Sequence, residues 1–169
     1  MALLSVDNKD IYYLDSGPIQ NETYVTLFLL HGHTFYSPIF NRLIPLAPKY
    51  NIRIVAITRR DYSGSAPYTS AELEVIMHGD TAAKTGFLQA RALEIASFLE
   101  KFTQENNLPQ SSPDGKQGGI ALLGWSLGNV LALSVVGLAQ HFPRGLQDNL
   151  DPYLRRLVLY GICGPSPWM

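Results

Sequence analysis

The chain has 169 residues and a net charge of −1, with 46% hydrophobic and 16% charged residues. This length predicts one domain over residues 1–169, and the composition is typical of a packed α/β core. The absence of a basic cluster argues against a nucleic-acid partner, and no apolar run reaches the roughly 18 residues of a membrane span. The N-terminus carries no signal-peptide pattern, so we expect a cytoplasmic protein.

The first third of the sequence predicts strands. Residues 10–18 have the pattern of a strand closed by a Ser-Gly-Pro turn, and residues 2–6 are a candidate partner strand. The run 24–30 is continuously apolar, as in a central strand covered on both faces. A short helix is predicted with Ser37 as its N-cap, followed by a strand over 51–58.

A short polar loop, His31-Gly32-His33-Thr34, follows the predicted central strand. Its glycine allows backbone N–H groups to turn towards a bound anion. Two histidines at this spacing are compatible with a metal, but no carboxylate or cysteine is close in sequence. The sequence therefore favours a hydrogen-bonded structural role for His31 and no metal site.

A second polar loop covers residues 59–68, after the strand over 51–58. Its favoured interpretation is a structural loop held by Asp61 and by the arginines that precede it. The alternative is that Tyr62 or Tyr68 lines a pocket.

Residues 81–106 predict a long helix, after a short helix and loop over 71–80 and before a surface loop over 107–118. Its apolar side is predicted to contain Phe87, Leu88, Ala92, Leu93, Ile95, Ala96, Leu99 and Phe102. Its polar side is predicted to contain Arg91, Glu94, Glu100, Lys101 and Gln104.

The pattern G-x-S-x-G occurs once, at residues 124–128, between a short apolar strand and a small-residue apolar helix. Such a turn forces its central residue, here Ser126, into a strained backbone conformation, and glycines on either side remove Cβ atoms that would clash. This context favours a nucleophilic serine at a helix N-terminus over an incidental serine in a glycine-rich turn. The helix is predicted to end near His141, and a last strand is predicted over 156–161.

Strands that alternate with helices predict an α/β fold with a mostly parallel sheet flanked by helices. With the motifs at 31–33 and 124–128, this order resembles the N-terminal portion of the α/β-hydrolase family. The loop at 61–65 is similar to the family's D-x-R-G-x-G-x-S loop, although Ser63 replaces the arginine, Ala66 the second glycine and Tyr68 the serine. Its Arg-Arg-Asp-Tyr-x-Gly-Ser form is similar to a fungal subgroup.

The resemblance implies a serine hydrolase of the α/β-hydrolase family acting on an ester, thioester or amide. Ser126 would be the nucleophile, and the backbone N–H groups of Leu127 and His33 would form the oxyanion hole. It implies a small apolar ester-like substrate and no cofactor. A serine at this position argues against the dehalogenase and epoxide-hydrolase branches, which use a carboxylate nucleophile.

The sequence does not supply an evident general base. After Ser126 the only histidine is His141, about 22 Å further along the predicted helix, while Asp148 and Asp151 precede the strand at the opposite sheet edge. His31 and His33 lie at the oxyanion loop and are disfavoured as substitutes, and His78 cannot be assigned.

In the family, the acid and the histidine follow the seventh and eighth strands. We therefore expect a fold truncated after about the sixth strand, with little or no activity in this chain alone. The alternative is a catalytically dead fragment or pseudoenzyme that binds a small ligand. The single cysteine, Cys163, is expected to be a buried structural thiol. The apolar strand at 157–160 would lie at an exposed sheet edge and invite self-association.

Overall fold

The computed structural model describes residues 2–20 and 23–161, and the predicted environment of Cys163 lies outside these ranges. The described residues form one sheet of six strands. The strands are β1 (Ala2–Val6), β2 (Lys9–Asp15), β3 (Val25–Leu30), β4 (Ile52–Ile57), β5 (Ile120–Trp125) and β6 (Leu154–Tyr160). Their order across the sheet is β1-β2-β4-β3-β5-β6. β1 and β2 are antiparallel to their neighbours, whereas β4, β3, β5 and β6 run parallel. The predicted mostly parallel sheet is confirmed, as is the pairing of residues 2–6 with the next strand.

Four α-helices and four 3₁₀ turns connect the strands in the described ranges. The helices are α1 (Ser70–His78), α2 (Thr81–Asn106), α3 (Gly128–Gly137) and α4 (Arg144–Leu150). The 3₁₀ turns cover Ser37–Phe40, Ile44–Leu46, Pro48–Tyr50 and Ala139–His141. Within the described ranges, no helix is both long and apolar enough to cross a lipid bilayer.

The central position of β3 in the sheet explains why its sequence is continuously apolar. Phe28 and Leu30 pack into the larger core, with residues of α2, α3 and α4. Leu29 packs on the other face, with Phe40 and Ala47 of the 3₁₀ segment. Alternate side chains of a strand point to opposite faces, so both faces of this central strand are buried.

The structure corrects two local predictions before α1. Ser37 is not an N-cap, because the first 3₁₀ turn is capped by Tyr36 without a side-chain hydrogen bond. The hydroxyl of Ser37 is instead buried against that of Thr58, 21 residues later. The predicted short helix is therefore three 3₁₀ turns.

The polar side of α2 is also not wholly exposed. Arg91 and Glu94 are buried, together with Arg60 from the loop after β4. Arg91 forms an ion pair with Glu72 of α1 over 2.6 Å, and Arg60 reaches the same carboxylate over 2.7 Å. This polar cluster joins the loop after β4 to both helices.

The segment after Ser126 differs from its prediction as well. α3 ends at Gly137 and only a 3₁₀ turn continues to His141. The helix α4 was not predicted, because Pro143 and Gly145 indicate a helix end. Pro143 is the N-cap of α4, and Leu146 and Leu150, one helical turn apart, are buried in the core.

Candidate active site

Ser126 lies at the junction between β5 and α3 and has a φ of 53°. This left-handed conformation is rare for a serine. Glycines flank it because side chains do not fit: a Cβ on Gly124 would lie 2.6 Å from the Asn129 Cα atom. A Cβ on Gly128 would lie 2.2 Å from the carbonyl oxygen of Leu30. The first turn of α3 therefore packs directly against the end of β3.

Hydrogen bonds from the end of β6 hold this strained turn. The Ser126 N–H donates to the Tyr160 carbonyl over 3.0 Å. The Asn129 side-chain amide donates to the same oxygen over 3.1 Å. The Ser126 carbonyl accepts from the Asn129 N–H over 3.0 Å. These contacts offset the cost of the unusual backbone conformation.

The loop after β3 lies against Ser126. A Cβ placed on Gly32 would be 3.1 Å from the Ser126 Cβ and 3.5 Å from its Oγ. The two motifs that the sequence predicts at one sheet edge are therefore in contact, and Gly32 leaves room for the serine. His33 and Leu127 are both exposed beside this contact. The Leu127 N–H, at the N-cap of α3, precedes the helix's own hydrogen-bond ladder.

His31 is fully buried beneath the loop, as predicted. Its Nε2 accepts from the Arg59 backbone N–H over 3.0 Å, so the ring proton sits on Nδ1, which donates to the Gly32 carbonyl over 2.8 Å. Burial, with the charge of Arg59 added, lowers the pKa of His31 to about 4. With its lone pair engaged, His31 is a structural residue and not a general base.

The loop over 59–68 is structural, as the favoured interpretation predicts. Asp61 accepts from the Tyr68 N–H over 3.3 Å, and Arg60 pairs with Glu72. Tyr62 nevertheless contacts the site: its hydroxyl donates to the His33 carbonyl and accepts from Arg59 Nη2 over 3.1 Å. The Tyr62–His33 contact joins residues 29 apart in the chain, so the local sequence pattern does not indicate it.

No histidine hydrogen-bonds to Ser126 in the part of the chain that the structure describes. His141 lies beyond the far end of α3, a helix whose ten residues alone span about 15 Å. Asp148 forms an ion pair with Arg144 over 3.1 Å on α4, and His78 is exposed at the end of α1. The described residues supply a strained serine and nearby backbone N–H groups, but no base in contact with it.

Among the described residues, no group of three or more His, Cys, Asp or Glu side chains is placed to hold a metal ion. An open apolar groove of about 540 Å³ lies on one face of β3, β5 and β6. It is lined by Leu27, Leu29, Ile39, Phe40, Arg42, Leu43, Leu123, Trp125 and Tyr160.

No protein-family model and no curated protein matches this sequence. Solved structures do match the fold. An α/β hydrolase from a deep-sea metagenome library of the Medee basin is 15% identical, with a TM-score of 0.57 over 99% of this chain and 46% of that chain. An epoxide hydrolase from Vigna radiata is 15% identical, with a TM-score of 0.61 over 99% of this chain and 42% of that chain.

A thermophilic esterase from Thermogutta terrifontis is also 15% identical, with a TM-score of 0.56 over 95% of this chain and 44% of that chain. The chain thus spans less than half the length of each of these proteins. At this identity the matches show the fold and leave the reaction open. The chain therefore has the α/β-hydrolase fold, of which it spans one part.

Proposed function

We propose that this chain is the nucleophile-bearing part of a serine hydrolase that cleaves an ester, thioester or amide bond in a small apolar substrate. The observation that carries the proposal is Ser126, held at a φ of 53° at the N-terminus of α3. Both flanking glycines are required by backbone contacts, and Gly32 lies against the serine. A strained, exposed serine in this position supports a role in chemistry.

In this proposal the Ser126 Oγ attacks the substrate carbonyl carbon, and the carbonyl oxygen becomes an oxyanion. The N–H groups of Leu127 and His33 donate to that oxygen, and the N-terminus of α3 favours its charge. When the carbonyl re-forms, the bond to the alcohol, thiol or amine breaks, and this leaving group departs with the serine proton that the base relays. Water then hydrolyses the resulting acyl-enzyme ester, which releases the acid and restores the Ser126 hydroxyl.

The serine proton requires a base, and none of the four histidines of the sequence contacts Ser126 in the described ranges. We infer that the base and its orienting acid come from residues outside these 169.

The test is covalent labelling of the protein purified from its source with a fluorophosphonate probe, followed by mapping of the tryptic peptide 117–144. We expect a phosphonyl adduct on Ser126 and an intact mass above that of the 169 residues. The recombinant 169-residue chain should label at least about 100-fold more slowly, because it lacks the base. The Ser126→Ala chain is the control and should not label in this peptide.

The proposal fails if the native protein carries no adduct at Ser126 while other serine hydrolases in the same extract are labelled. That outcome would favour the second candidate, a protein that binds a small apolar ligand without turnover. The observation behind this candidate is the apolar groove, which is lined in part by Trp125, the residue before Ser126.

A further inference from the structure

Two carbonyl groups of the loop after β3 are held by side chains of the loop after β4. Arg59 Nη2 donates to the Gly32 carbonyl over 2.7 Å, and the Tyr62 hydroxyl donates to the His33 carbonyl. The two side chains also contact each other, because Arg59 Nη2 donates to the Tyr62 hydroxyl over 3.1 Å and the guanidinium lies 5.0 Å from the tyrosine ring. One connected pair thus holds successive peptide groups beside Ser126.

These contacts fix the direction of one backbone N–H. The peptide between Gly32 and His33 is trans, like every peptide bond that the structure describes, so the Gly32 carbonyl and the His33 N–H point in opposite directions. The carbonyl accepts from Arg59 and also from His31 Nδ1. A flip of this peptide would remove the acceptor of two buried donors. The His33 N–H is therefore held pointing away from Arg59.

Arg59 differs from the other buried arginines of the described residues. Arg53, Arg60 and Arg91 each form ion pairs with carboxylates, whereas no ion pair joins Arg59 to a carboxylate in the described part of the chain. Arg59 is only 9% exposed. A buried cation without a counter-ion is costly and becomes favourable when negative charge develops nearby. In the described residues its charge is met by neutral acceptors, the Gly32 carbonyl and the Tyr62 hydroxyl, to which Nη2 donates.

We infer that Arg59 and Tyr62 are positioning residues that set the direction of the His33 N–H. The inference rests on the proposed function, in which this N–H is an oxyanion-hole donor. Neither side chain needs to touch the substrate, since both act through the peptide groups of residues 32 and 33.

The test measures the direction and the mobility of the His33 N–H by NMR, with residual dipolar couplings and ¹⁵N relaxation on the labelled 169-residue chain. The variant Tyr62→Phe keeps the ring against His31, whose ring centroid lies 4.5 Å away, and removes only the hydroxyl. We expect the His33 order parameter to fall from about 0.85 to below about 0.6, and its coupling to depart from the wild-type value. Couplings of β3 and β5 should not change, and Tyr50→Phe, at an exposed tyrosine, is the matched control.

A second variant, Arg59→Met, removes one of the two donors to the Gly32 carbonyl and should have the same effect on His33. The inference is overturned if His33 keeps its wild-type coupling and order parameter in both variants. It is also overturned if His33 reorients but the phosphonylation rate of Ser126 in the native protein is unchanged by Tyr62→Phe, which we expect to lower it about tenfold. Because the NMR measurement needs no substrate, failure of Ser126 to label at all would count against the proposed function alone.

Discussion

Ser126 has a backbone conformation that is unfavourable for a serine. The residues around it stabilise the turn in two ways. The glycines at 124 and 128 permit close backbone contacts, and the Tyr160 carbonyl accepts two hydrogen bonds at the turn. The sequence predicts this conformation because the glycines that permit it lie within five consecutive residues, although Gly128 also contacts the Leu30 carbonyl from a distant part of the chain.

His31 makes stability depend on pH. Its pKa is about 4 in the folded protein, against an ordinary value of 6.5, because burial disfavours the charged ring. Between these values the unfolded chain binds more protons than the folded one. The free energy of unfolding contributed by this residue is therefore fully present above pH 6.5 and falls by about 3 kcal/mol as the pH drops to 4.

Urea denaturation between pH 4 and pH 7.5 measures this dependence. His31→Gln should lower the free energy of unfolding at neutral pH. It should also reduce the slope of that free energy against pH between pH 6.5 and 4. His141→Gln removes an exposed histidine that has no hydrogen bond to the residues around His31 in the described ranges. This variant should keep the wild-type dependence of the free energy of unfolding on pH. Equal slopes for wild type and His31→Gln would show that His31 does not titrate in this window.

The contact of Arg59 with Gly32 could not be predicted from the sequence. The motif at 31–33 predicts that this loop lies beside the serine, but the guanidinium that binds the Gly32 carbonyl comes from 27 residues later in the chain. An arginine in a polar loop carries no local signal for such a contact. The fold must bring the two loops together before the contact exists.

At the scale of elements, the strands and α2 follow from hydrophobic patterning, because burial of one or both faces leaves a periodic signature. Arg91 and Glu94 do not follow this pattern. Their charges predict an exposed face, yet they are buried because Arg60 and Glu72 arrive from other elements to pair with them. The local sequence does not predict α4 either, because its two buried leucines pack against residues that only the folded core brings close.

The ion pairs around Arg60 are expected to fix the loop after β4 to α1 and α2. Arg60 is buried and contacts Glu72 over 2.7 Å and Glu94 over 3.5 Å. Arg60→Met should lower the free energy of unfolding by about 2 kcal/mol, because buried Glu94 and half-buried Glu72 are then left with Arg91 as their remaining cation. Chemical denaturation at pH 7 measures the loss.

The matched control is Arg144→Met on α4. Arg144 also pairs with a carboxylate, Asp148, over 3.1 Å, but its side chain is largely exposed. A solvent-exposed ion pair contributes little to stability, so this variant should lower the free energy of unfolding by less than about 1 kcal/mol. Similar losses in the two variants would mean that burial does not set the value of these pairs.

At the scale of the whole molecule, the sheet has two edges of different character. β1 forms one edge, and there Lys101 of α2 donates to the Ser5 carbonyl over 2.8 Å. β6 forms the other edge, and in the described ranges it pairs with β5 alone. Val158 and Tyr160 are exposed on β6 beside the apolar groove. An edge strand with unpaired backbone groups and exposed apolar side chains favours pairing with another chain.

We therefore expect the 169-residue chain to self-associate through β6, and a lysine at this edge should prevent it. In Val158→Lys, a charge replaces a side chain that is 39% exposed, so the fold should tolerate the change while strand pairing between copies becomes unfavourable. Sedimentation velocity over a concentration series should show association for the wild type and monomers for the variant. Leu3→Lys, at a 58% exposed leucine on β1, is the control and should associate like the wild type. If Leu3→Lys abolishes association instead, the contact lies at β1. A wild type that stays monomeric at every soluble concentration would show that β6 does not pair two copies.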